Sequence, residues 1–60
     1  MCELTVILNG KMVFDRAIYA KQGNGQVIVQ DVLGFKRGFK NSTIQEIHID
    51  SKTLTLKRSK

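Results

Sequence analysis

Cys2-Glu3-Leu4-Thr5-Val6-Ile7-Leu8-Asn9-Gly10 is the stretch that decides the fold. Cys2, Leu4, Val6 and Leu8 fall on one face, and Glu3, Thr5 and Ile7 on the other. Alternation with a period of two, in β-branched and apolar residues, is the pattern of a half-buried strand. Asn9-Gly10 follows it, and this pair tolerates the positive φ angles of a type I′ hairpin turn. The chain therefore opens on a hairpin.

The rest of the sequence repeats this grammar. Met12 to Gln22 reads as a long strand, bent or bulged near Asp15, with Phe14, Arg16, Ile18 and Ala20 on one face. A helical reading through Val13, Arg16, Ala17 and Ala20 lacks a capping residue directly before Met12. Gly23-Asn24-Gly25 makes a second turn, and Gln26 to Leu33 is a valine- and isoleucine-rich strand. Gly34 ends it before a short strand over Phe35 to Phe39. Asn41-Ser42-Thr43 reads as loop, with Ser42 or Thr43 capping a single helical turn over Ile44-Gln45-Glu46. Ile47 and Ile49 alternate with His48, Asp50-Ser51-Lys52 turns the chain, and Leu54 and Leu56 alternate with threonines in a last strand. Ile7, Ile28 and Val32 leave apolar surface opposite the expected core, which favours a dimer.

Sixty residues make one domain, too small for a sandwich of two full sheets. The expected fold is all-β: a five- to six-stranded SH3-like or Sm-like barrel, whose closure protects the sheet edges. A core this small usually needs a disulfide, a metal or a partner. Cys2 is the single cysteine, so no disulfide forms within the chain, and a reducing cytoplasmic setting is expected. No stretch suits a signal peptide or a membrane span. Ten basic residues against five acidic ones give a net charge of +5. The cations gather in two clusters, Lys36-Arg37-Lys40 and Lys57-Arg58-Lys60.

Little in the sequence suits catalysis: there is no nucleophile elbow, no phosphate loop and no paired carboxylates. The expectation is a non-enzyme. Cys2 has two readings. By spacing it is a small apolar strand residue. By chemistry it is a soft ligand beside backbone nitrogen: a free α-amine if Met1 is trimmed, the Met1 amine and Cys2 amide otherwise. Such an N,S set suits Ni(II) or Cu(II). His48, between two isoleucines, reads as an exposed strand residue. Phe35-Lys36-Arg37-Gly38-Phe39-Lys40 pairs aromatic rings with cations, as single-stranded nucleic-acid surfaces do. The plainer alternative places Phe35 and Phe39 in the core and the lysines in solvent.

The opening Met1-Cys2, the Gly23-Asn24-Gly25 turn before the Gln26 to Leu33 strand, and the closing Ile44, Ile47, Ile49-Asp50, Leu54 and Leu56 pattern together resemble the CooT family. The resemblance spans essentially the whole chain. It implies a small, cytoplasmic, homodimeric all-β protein that binds nickel through Cys2 and serves maturation of carbon monoxide dehydrogenase, its recipient nickel enzyme. Relatives labelled as RNA-binding make nucleic acid the alternative ligand, through Phe35, Lys36, Arg37, Phe39 and Lys40.

Overall fold

The opening alternation becomes strand β1 (Leu4–Leu8) in the computed structural model, which describes residues 3–59. Val6 and Leu8 are buried on its inner face. Asn9 and Gly10 have φ of 55° and 76°, the pair of left-handed conformations that a type I′ turn requires. Leu8 pairs with Lys11 across it, opening β2 (Lys11–Gly23).

β2 is long enough to serve two neighbours. Its first half pairs antiparallel with β1 and its second half with β3 (Gln26–Asp31). Val6 faces Phe14 while Leu4 faces Ala17, so Asp15 and Arg16 together oppose the single residue Thr5. This is the expected bulge. Arg16 takes φ of 59°, and Asp15 Oδ1 accepts the Arg16 amide at 2.9 Å and the Thr5 hydroxyl at 3.4 Å. The extra residue reverses the inside–outside parity. Ala17 is therefore buried, while Arg16 and Ile18 are exposed. The expected inner face of Phe14, Arg16, Ile18 and Ala20 is corrected to Phe14, Ala17 and Ala20.

β4 (Lys36–Lys40), β5 (Ser42–His48) and β6 (Thr53–Arg58) complete a six-stranded sheet of order β4-β3-β2-β1-β6-β5. β6 lies parallel to β1, and every other pairing is antiparallel. The helical turn expected over Ile44-Gln45-Glu46 is absent. Those residues are strand, with a bulge between Ile44 and Glu46. The Ser42 hydroxyl, expected to cap the turn, is buried and donates to the Lys40 carbonyl at 3.0 Å. Pairing with β6 outweighs the local capping signal.

The sheet curls until its two outer strands, β4 and β5, meet through Asn41 alone. The Asn41 amide donates to Gly25 O, and its carbonyl accepts the Ser59 amide. Where the ladder is interrupted, side chains bridge the seams. The Ile44 amide donates to Gln22 Oε1 at 2.8 Å, and Arg37 Nη1 donates to Val13 O at 3.0 Å. The all-β barrel expectation therefore holds. Val6, Leu8, Ala17, Val27, Val29, Phe39, Leu54 and Leu56 fill it. Among the described residues no helix is long and apolar enough to cross a membrane.

Arg37 also lies over the Phe39 ring, 5.2 Å from its centroid. Replacing Arg37 with methionine keeps the apolar stem but removes the bond to Val13 O and the cation. The group is exposed, so the expected loss is about 1 kcal/mol. It is read as a lower urea midpoint at unchanged slope; an unaltered midpoint would mean that the seam bond contributes nothing.

Candidate functional site

The primary candidate, Cys2 with the Met1 nitrogen, lies outside the described residues. The strand that it precedes is well placed. Leu4 pairs with Ala17 on one side, and Thr5 pairs with Thr53 on the other. The Thr5 amide donates to Lys52 O at 2.8 Å, which ties the start of β1 to the β5–β6 turn. That turn carries a small polar network. Ser51 contributes its amide to His48 Nδ1 at 3.3 Å, and its hydroxyl lies 2.9 Å from the same nitrogen and 3.0 Å from Thr53 Oγ1. An N–H donor on Nδ1 makes that atom the acceptor, so in neutral His48 the proton sits on Nε2. His48 is exposed, as its spacing implied.

Among the described residues no group of three or more His, Cys, Asp and Glu side chains could hold a metal ion. Exposed Ile47 and Ile49, at 54% and 61%, sit on the β5–β6 hairpin close to the start of β1. Carboxylates favour this half of the barrel too. Glu3, Asp15, Glu46 and Asp50 all lie on or beside β1, the first half of β2, and the β5–β6 hairpin, together with Lys11, Arg16, Lys52, Lys57 and Arg58. Asp31 is the exception.

The second candidate, Phe35 to Lys40, is split by the fold. Phe39 is buried, at 6% exposure, whereas Phe35 is 66% exposed in the β3–β4 loop. The reading that put both rings in the core is right for Phe39 and corrected for Phe35. Lys36 and Lys40 are exposed. Arg37 is committed to Val13 O and the Phe39 ring. A buried ring cannot stack on a base, so the segment presents one ring and two free lysines rather than an aromatic–cationic platform. Sequence alone also left the two basic clusters apart. The Ser42–Arg58 pairing brings them together, with Arg58 Nη1 3.4 Å from Lys40 O.

A family model described as CO dehydrogenase accessory protein CooT matches residues 1–57. The chain belongs to the CooT family. The match takes in both Met1-Cys2 and the β5–β6 hairpin, so the resemblance carried by those segments stands. CooT membership implies an accessory role in carbon monoxide dehydrogenase maturation, with that enzyme as partner. No curated protein is similar enough to this CooT chain to count as a match.

Proposed function

We propose that this chain binds nickel through Cys2 at the interface of a homodimer and passes it on during maturation of carbon monoxide dehydrogenase. Nickel is cargo here, and the protein is an accessory factor rather than a catalyst. The observation that carries the reading is the family match, which extends through Met1-Cys2.

The donor chemistry agrees with it. A thiolate beside an amine or amide nitrogen is a set that square-planar Ni(II) accepts. One chain contributes a single thiolate, so two chains related by a two-fold axis supply a fuller set. The exposed Ile47 and Ile49 next to the start of β1 offer apolar area for that contact, and burying them removes the surface a small barrel otherwise leaves wet. A cytoplasmic site of action fits a lone cysteine that must stay reduced.

Native mass spectrometry of the reduced protein, titrated with nickel, tests the proposal. The expected species is one metal on two chains. Nickel on a monomer, or no retained nickel, would overturn it.

A further inference from the structure

We infer that the β3–β4 loop, with the outer face of β2–β3–β4 beside it, is the surface that docks onto the nickel-accepting enzyme, by inserting Leu33 and Phe35 into an apolar pocket rimmed with carboxylates. This rests on the accessory role proposed above and adds the recognition surface to it.

Rigidity is the first ground. Asp31 Oδ1 accepts the amides of both Leu33 and Phe35 at 2.9 Å. The Asp31 carbonyl accepts the Gly34 amide at 3.1 Å, and the Asp31 amide donates to Phe35 O at 2.9 Å. Gly34 supplies the φ of 95° that closes the loop. The loop is thus fixed by one aspartate, and what it holds outward is apolar: Val32 is 49% exposed, Leu33 79% and Phe35 66%. Large apolar side chains on a preorganised protrusion lose little conformational freedom on binding, which is the property of interface anchors.

Charge is the second ground. The strand pairing sets Tyr19, Gln30 and Lys36 in one row, Lys21, Ile28 and Gly38 in the next, and Gly23, Gln26 and Lys40 in a third. These rows hold three lysines and no carboxylate. Asp31, at the edge of the face, turns Oδ1 to the loop amides. A second copy of the chain is therefore a poor occupant, because a two-fold contact here would set lysines against lysines. A nucleic acid fits less well: Phe35 and Tyr19 are exposed rings, but Phe39 is buried and the loop's other outward side chains, Val32 and Leu33, are aliphatic and have no plane on which to stack a base. A protein surface bearing carboxylates satisfies both the anchors and the rim. Three strands about 4.8 Å apart, each about five residues long, give a small face, in the range of transient encounters. A cargo must be released after delivery, and a transient contact allows that.

The test measures binding of the dimer to immobilised, nickel-free carbon monoxide dehydrogenase across a salt series. The parent is expected to bind, more weakly as salt rises. Leu33→Ser/Phe35→Ser is expected to lose at least about tenfold in affinity, and Lys36→Glu to lose affinity mainly at low salt. Both should retain the parent's circular dichroism, dimer mass and nickel stoichiometry. Asp31→Ala, which frees the loop but keeps the anchors, should weaken binding, and Asp31→Asn, which retains the accepting oxygen, should restore it. Several results would overturn the inference: equal binding by the double variant and by Lys36→Glu, loss of the dimer in the double variant, or binding of an oligouridine but not of the enzyme. A parent that loads one nickel per dimer yet does not bind the enzyme would sink this inference alone. A parent that binds the enzyme but takes no nickel would sink only the nickel reading.

Discussion

Cys2→Ala is expected to abolish tight nickel binding and its thiolate-to-nickel charge-transfer absorption, with the barrel and the dimer intact. The expectation follows from the donors available. Cys2 is the single thiol, and the described residues offer no cluster of three metal-ligating side chains to take its place. Removing it leaves backbone nitrogen, an isolated imidazole and separated carboxylates, none of which holds nickel tightly alone. Cys2→Ser should behave like the alanine variant, because a neutral hydroxyl is neither soft nor deprotonated. At the proposed site nickel would compete with protons for the thiolate and any amine. Affinity should therefore fall as pH falls, by about tenfold per pH unit for each proton displaced. Parental affinity in Cys2→Ala would end the proposal, whatever the stoichiometry.

The β5–β6 hairpin and the β3–β4 loop lie on different parts of the sheet and read as separate devices. Charge does not divide them: Lys11, Arg16, Lys52, Lys57 and Arg58 accompany the four carboxylates about β1, the first half of β2 and the β5–β6 hairpin, while β3, β4 and the second half of β2 carry lysine and arginine with Asp31 as their one acid. The two surfaces are also built differently. Ile47 and Ile49 lie on an edge hairpin, where a like hairpin from another copy can pair or pack. Leu33 and Phe35 stand on a loop stiffened by Asp31.

What could be read from the sequence was what depends on neighbours along the chain. The Leu4–Leu8 alternation and the Asn9-Gly10 turn are short-range signals, and both appear in the fold. Ala17 was missed because its burial depends on the bulge at Asp15-Arg16, where no glycine marks the positive φ. The helical turn at Ile44 was inferred from Ser42 and Thr43. Those residues instead extend a strand whose partners, Thr53–Arg58, lie further along the chain. Phe35 and Phe39 share a parity, which made them look alike. Strand β4 begins at Lys36, so only Phe39 is carried into the core. Asp31-Val32-Leu33-Gly34 did contain a usable clue, since an aspartate two residues before an amide is the start of an Asx turn. Cys2 stands apart from all of these. Spacing makes it an ordinary strand residue, and only the family pattern makes it a ligand.

Leu54→Ala is expected to be the most destabilising single truncation in the barrel. Leu54 is 1% exposed on β6, the strand that pairs with β1 on one side and β5 on the other. Truncating a leucine so enclosed costs about 3–5 kcal/mol, through lost transfer energy and the cavity left behind. A domain of this length has a total stability of roughly 3–9 kcal/mol. The variant should therefore melt at least about 12 °C below the parent, and at the low end of that range it should not fold as a monomer at all. The proposed dimer would change the measurement in a useful way, because a dimer that unfolds to monomers melts higher at higher protein concentration. Leu54→Ala should keep that concentration dependence if any folded protein remains. A shift of less than about 3 °C would mean that the neighbours collapse into the space that Leu54 leaves, and that β6 is not the centre on which this small core depends.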